Sequence, residues 1–240
     1  MRTSLLRLKA VCLTDLRLQM RHGFYAAYAV VTAIYALALH QLARVAGPAT
    51  LRAVAATLIF TDPATLGAFF VGGLVLLEKQ QGSLTAAFVT PLRLTEYLLS
   101  KAVSLTALAI ATSLVVAFAS GLPLRPGPLV LGVVATSVLF IMLGLAVVAR
   151  VRTVNGYLLA TIPVVVIPML PALRFLGLES GFLWLVPTRA SIRLLEAGLG
   201  GLPQSPAEIL YAAVVLPAAC IAAAAWARRR FARHILGGQL

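Results

Sequence analysis

The stretch FFVGGLVLLEKQQGSLTAAFVTPLRLTEYLLSKAV, residues 69–103, leaves one strongly apolar run at Glu78 and enters another after Lys101. The polar-punctuated piece between them carries a glycine, a proline and three basic residues. Two antiparallel helices need a loop of only about 2–5 residues, so this connection is far longer than a turn requires. The runs on either side decide the fold class. The chain has 240 residues, of which 61% are hydrophobic and only 11% charged, against about 25% charged in an average soluble domain. Its mean hydropathy is +0.98. Such a chain has too little polar surface to cover itself in water. The apolar runs are continuous and do not alternate, which excludes a membrane barrel and predicts an all-α membrane protein.

A helix needs roughly 20 apolar residues to cross the hydrocarbon core. Six segments meet this: about 24–43, 62–79, 102–121, 129–149, 154–173 and 207–227. In the second, Asp62-Pro63 reads as an N-cap followed by proline at the first helical position. Residues 51–60 would then be a separate short helix or part of a broken span. Pro163, Pro168 and Pro171 predict a kink or break in the fifth. Six spans put both termini on one side. That side collects Arg2, Arg7, Lys9, Arg17 and Arg21, then Lys79, Arg93 and Lys101, then Arg150 and Arg152, and finally Arg228, Arg229, Arg230 and Arg233, 14 of the 20 basic residues. The positive-inside rule places this side, both termini and the 78–101 loop in the cytoplasm. The net charge of +13 therefore reports topology, and nucleic acid is excluded as a partner.

Two amphipathic segments lie outside the spans. Residues 4–21 place Leu5, Leu6, Cys12, Leu13, Leu16 and Met20 on one arc and Arg7, Thr14, Arg17 and Arg21 on the opposite one. Lys9 interrupts the apolar arc but can snorkel. This predicts an N-terminal helix over residues 1–23 lying in the cytoplasmic interface. Arg7, Lys9, Asp15 and Arg17 deny it the apolar core of a signal peptide. In TRASIRLLEAGLG, 188–200, Arg189, Arg193 and Glu196 share a face, with Thr188 a plausible N-cap and Gly198 or Gly200 a plausible stop. It is predicted to be an external or re-entrant element, within 174–206, before the last span.

Catalytic and metal-binding patterns are absent from the sequence. No Gly-Lys dipeptide occurs, so there is no phosphate loop for ATP. Cys12 and Cys220 have no metal or redox spacing. His22, His40 and His234 are scattered, so a metal site would need oligomerisation. Asp62 is the one acid near a span interior. It could be a proton or substrate site, but Pro63 favours an N-cap at the external end. Gly72-Gly73 would let another helix approach closely, within the subunit or between subunits. Tyr25, Tyr28 and Tyr35 on the first span, with Phe69 and Phe70 on the second, are candidates to line a pathway for an aromatic substrate; the tyrosines serve equally as an interfacial belt or as packing. Trp184 reads as an interface anchor.

Glu78 ends the second span, where a carboxylate opposes the helix dipole. It wants a cation beside it, Lys79, Lys101, or Arg17 and Arg21 of the N-terminal helix; the alternative is a solvated carboxylate that marks the membrane edge. Gly82-Ser83 can stop one helix and cap the next. SLTAAFV then forms a short helix that Thr90-Pro91 ends, with Leu84, Ala87, Phe88 and Val89 shaped to dock on another protein.

Residues 69–103 resemble the signature region of the ABC-2 type transporter permeases: a glutamate, a Gly-Ser-Leu run, T-P-L, and a lysine some way on. FVGG, EKQ, TPLR, EYL and LVPT (185–188) resemble the fluoroquinolone-export permease subgroup. The resemblance implies a single ABC-2 type transmembrane domain over 1–240. It implies six spans, an N-terminal connecting helix, a coupling helix within 80–95 and re-entrant helices before the last span. Glu78, Gly82, Ser83, Leu84, Phe88, Thr90 and Pro91 map to the coupling region, and Lys101 to the start of the third span. Two such subunits, identical or paralogous, would form the pathway in a bacterial cell membrane. Separate ABC ATP-binding subunits would bind the ATP and Mg, so this chain itself needs no cofactor and is no enzyme. Efflux of amphipathic or aromatic drugs, and so antibiotic resistance, is the implied function. Haem-exporter membrane subunits share a similar pattern. A stand-alone secondary carrier is the rival of another class, weakened by the lack of a clear carboxylate at membrane depth. A scaffold or intramembrane enzyme is the weakest reading.

Overall fold

The computed structural model describes residues 2–21, 23–89, 92–178, 181–201 and 205–236. These residues form helices and no strand. Helix α1 (Arg2–Arg21) precedes α2 (Phe24–Val45). Then α3 (Pro48–Thr65) passes through a π-helical turn, Leu66–Phe70, into α4 (Val71–Gln80). The short α5 (Ser83–Val89) leads to α6 (Leu94–Ala119) and α7 (Pro126–Val148). Helix α8 (Val154–Met169) tightens into a 3-10 segment, Leu170–Leu176, and a second 3-10 segment, Gly181–Leu185, precedes α9 (Thr188–Gly198). Helix α10 (Pro206–Phe231) ends in a π turn, Ala232–Leu236. Six of these runs are long and apolar enough to cross a membrane: α2, the continuous 48–80 run, α6, α7, α8 with its extension, and α10. The protein is an all-α membrane protein.

The second of these runs corrects the reading of its start. It begins at Pro48, not at Asp62, and Asp62 and Pro63 are buried inside it. Pro63 removes one backbone donor and crowds the preceding turn. In lipid, a chain that opened there would expose backbone groups that nothing could satisfy. The helix instead persists and deforms. The hydroxyls of Thr57, Thr61 and Thr65 bond back to the carbonyls of Ala53 (2.8 Å), Thr57 (2.9 Å) and Thr61 (2.9 Å), a pattern that bends helices. The π turn follows directly. Asp62 thus lies buried in the interior of a long apolar run, where the hydroxyl of Thr112 in α6 donates to its Oδ2 at 2.8 Å.

Other boundaries differ for local reasons. Helix α6 starts at Leu94, ahead of the expected 102, because the Glu96 carboxylate accepts from the Arg93 backbone N–H at 3.1 Å and closes the first turn. Pro163 lies inside α8, and the break falls at the 3-10 segment beyond Met169. Thr188 does not cap α9. Its hydroxyl donates to the Pro168 carbonyl at 2.5 Å, tying α9 to α8.

Helix α7 is the hub, packed on α3, α4, α6, α8, α9 and α10. Helices α8 and α10, packed on α7, and α2, packed on α6 and α3, leave broad apolar faces outward, suited to lipid tails: Ile34, Leu159 and Ile221 are each more than half exposed. Without a strong hydrophobic drive between helices in lipid, close approach supplies the packing. A Cβ on Gly144 of α7 would lie 2.8 Å and 2.9 Å from the Gly67 and Ala68 carbonyl oxygens, backbone that cannot swing aside. Gly72 admits the ring of Tyr157 from α8, whose hydroxyl bonds the Ala68 carbonyl. The glycine pair therefore splits: Gly72 serves packing within the subunit, and a Cβ on Gly73 would meet nothing within 4 Å.

Gly144→Ala is expected to destabilise the folded protein by about 1–3 kcal/mol through overpacking. Gly73→Ala should stay within about 0.5 kcal/mol of the parent. Thermal unfolding of both variants in detergent micelles checks the difference.

Candidate functional site

Apart from Asp62, the buried charges among the described residues gather at one end of the bundle. Lys101, seven residues into α6, is fully buried. Its ammonium contacts Glu78 Oε1 from the last turns of α4 and lies 2.5 Å from Asp15 Oδ1 of α1. Each acid has a second donor. The Tyr97 hydroxyl donates to Glu78 Oε2 at 2.6 Å, and the Ser100 hydroxyl donates to Asp15 Oδ2 at 2.7 Å. One turn on, the Gln19 amide donates to Ser104 Oγ at 3.1 Å. The helical repeat puts Asp15 and Gln19 on one face of α1, and Tyr97, Ser100, Lys101 and Ser104 along the facing side of α6.

This arrangement chooses among the cations offered to Glu78. Lys101 is its partner. Arg17 and Arg21 are exposed. Lys79 turns the other way, and its ammonium donates to the carbonyls of Val148 (2.6 Å), Ala149 (3.2 Å) and Val151 (2.9 Å), capping the C-terminal end of α7. Asp15 was missed as a member of the site. It is the lone acid of an otherwise basic helix, which marks it out but does not name its partner. The face of α1 packed on α6 is the one that carries Asp15 and Gln19, while Leu13 and Met20 of the apolar arc are 55% and 68% exposed. The side chain of Arg7 lies outside the described residues.

Helix α5 is seated on this cluster. Gly82 takes a left-handed conformation (φ +69°) that reverses the chain after α4, and the Ser83 hydroxyl donates to the Glu78 carbonyl at 3.2 Å. Leu84 is buried. The Phe88 ring packs on Tyr97 with centroids 5.6 Å apart, and Tyr97 packs on Phe231 of α10 at 5.9 Å. So Leu84 and Phe88 face the bundle, while Ala86 and Val89 point outward. Thr90 and Pro91 lie outside the described residues.

The aromatic candidates of the first two spans meet one another. Tyr28 is buried and touches Phe70 edge to face at 5.0 Å, with Phe24 on the same ring at 5.3 Å. Tyr35 and Phe69 are half-buried. These contacts seat α2 on the deformed part of the 48–80 run, near Asp62.

The opposite end is held by a second charged cluster. Arg174 bonds Glu196 at 2.9 Å, and Arg193 bridges Glu196 and Glu208. Glu208 also closes a capping box with Ser205 at the start of α10.

Replacing one partner of a buried ion network leaves the others uncompensated, at about 3–5 kcal/mol. Lys101→Met strands two carboxylates and is expected to lower stability by that amount. Glu78→Gln keeps the Lys101–Asp15 pair and should cost about 1–2 kcal/mol. Thermal midpoints in detergent, ordered parent above Glu78→Gln above Lys101→Met, are the check.

Comparison with known proteins bears on this arrangement. The model of the fluoroquinolones export permease protein family matches residues 6–239, nearly the whole chain. Fluoroquinolones export permease proteins from two strains of Mycobacterium tuberculosis are each 33% identical to it over 227 residues, covering 92% of this chain and 93% of theirs. The match spans the buried Asp15–Lys101–Glu78 clasp, α5 and all six long helices together. On that evidence the chain belongs to the fluoroquinolones export permease protein family.

Proposed function

We propose that this chain is the membrane-spanning subunit of an ATP-driven exporter of amphipathic or aromatic small molecules of the fluoroquinolone type. The observation that carries the reading is the seat of α5. A short helix outside the spans is locked through Phe88, Tyr97 and Ser83 onto a buried ion network joining α1, α4 and α6. A push on α5 is thereby delivered to two spanning helices and to α1 at once. The chain has no phosphate loop, so the push comes from a separate ABC ATP-binding subunit that holds ATP and Mg. A second permease copy, or a paralogue, completes the pathway. On this reading the charge distribution keeps both termini and α5 in the cytoplasm of a bacterial cell. Helix α1 then lies at the membrane interface with Leu13 and Met20 toward lipid, and α9 forms the external, re-entrant element.

Export by this route is a population shift between two arrangements of the bundle, biased by the partner's ATP. The outward residues of α5 touch the partner, and the inward ones transmit. Val89 is 84% exposed, so Val89→Asp should leave folding unchanged while cutting substrate-stimulated ATP hydrolysis about tenfold, as expected for a central docking residue worth over 1 kcal/mol. Co-purification with a separately encoded ABC ATPase, followed by ATPase assays in proteoliposomes, tests this. Parent-like stimulated hydrolysis in the variant would remove α5 from the docking surface.

A second reading has one observation in its favour. Asp62 stands at membrane depth, where ionisable groups mark ion or proton paths. A stand-alone secondary carrier would transport in proteoliposomes on a proton gradient, without ATP or an ATPase, and would lose that transport in Asp62→Asn.

A further inference from the structure

Beside the seat of α5, and separate from the buried clasp, lies a cavity of about 440 Å³. It is bounded by the end of α4, the turn between α7 and α8, and the π turn that ends α10. Lys79, Arg150, Arg152 and His234 line it, with Leu84 and Ile235 as an apolar wall. No carboxylate lines it among the described residues. Glu78, the nearest acid in sequence, is engaged by Lys101 and Tyr97. The three N–H groups of Lys79 are taken up by three carbonyls, but those bonds leave its charge without a carboxylate partner. Lys79 also sits close enough to Arg152 for their charges to repel. Arg150 and Arg152 are exposed, and their planar donor forks remain available for a tetrahedral anion.

The surroundings specify what carries the anion. The cavity opens at the ends of the 48–80 run, α7 and α10 and at the start of α8, where the headgroups would lie around helices that cross a membrane. Helix α8 begins two residues after Arg152 and turns an apolar flank outward at once: Val154 and Leu158 are 52% and 43% exposed. A phosphate held by Arg150 and Arg152 would have its glycerol against Leu84 and Ile235 and its chains along α8. Basic pockets between spanning helices suit acidic headgroups in this way.

We infer that the Lys79–Arg150–Arg152–His234 cavity binds the phosphate of an acidic phospholipid. The lipid neutralises the repelling cations and adds a contact to α5 through Leu84. The site stands whether or not α5 docks an ATPase, since it needs only a membrane.

The full chain, purified in detergent, is titrated with phosphatidylglycerol, phosphatidylcholine or inorganic phosphate, and bound lipid is read by native mass spectrometry. Arg150→Gln/Arg152→Gln should weaken phosphatidylglycerol retention about tenfold or more, since each arginine near a charged headgroup contributes on the order of 1 kcal/mol. Arg125→Gln, exposed at the opposite end, should leave retention unchanged. Phosphatidylcholine, which carries its own cation, should bind the parent more weakly, and millimolar phosphate should not displace the lipid. The thermal midpoints of the variants confirm that they are folded. Equal phosphatidylglycerol retention in the parent and the double variant overturns the inference, as does equal binding of the two lipids. Displacement by inorganic phosphate identifies a free-anion site and overturns the lipid assignment. A double variant that keeps its lipid but no longer co-purifies with the ATPase makes the cavity a protein-docking surface and also overturns it.

Discussion

Lys101 is the constraint around which one end of the bundle is organised. A lysine with no exposed surface must be neutralised where it stands, because its charge cannot be solvated there. Glu78 and Asp15 meet that demand from two different helices, and Tyr97 and Ser100 satisfy the oxygens that Lys101 does not reach. The network is directional where apolar packing is not, so it sets the register of α1 against α6 and the height of α4 against both. Helix α5 inherits its position from the same residues, since Phe88 rests on the ring of the tyrosine that bonds Glu78. A short helix outside the six long runs is thus held by direct contact with two of them.

The opposite end uses the same physics with more water. Arg174, Arg193, Glu196 and Glu208 are all partly exposed, and their pairs pin α9 and the start of α10. Between the two ends, α7 holds the bundle by proximity. Gly67 and Gly144 bring two helices to backbone contact, and Gly72 lets Tyr157 in from a third.

The long run over 48–80 departs from regularity, and it does so beside the aromatic contact of α2. Pro63, three back-bonding threonines and a π turn fall within a few residues of Asp62. Deformed helix turns at membrane depth are tolerated only where protein or a polar cavity covers them. Here Thr112 and Tyr28 provide the cover.

Length and hydrophobicity alone determined the fold class, because each crossing helix has to satisfy its own backbone in lipid and so must be written as a long apolar run. The distribution of arginine and lysine marked the basic end, and the outlying length of 78–101 marked a feature beyond a turn. Lys101 was legible as one of several cations for Glu78, but Asp15 was not legible as its other partner, since the two lie 86 positions apart and no local pattern links them. Asp62-Pro63 misled for the opposite reason. The local signal for a helix start was genuine, but lipid makes an opened helix costlier than a bent one, and Thr112, fifty residues away, supplied the bond that lets the carboxylate stay inside. Pairings across helices depend on which faces α7 brings together, and that was decided only when the glycines let the backbones touch.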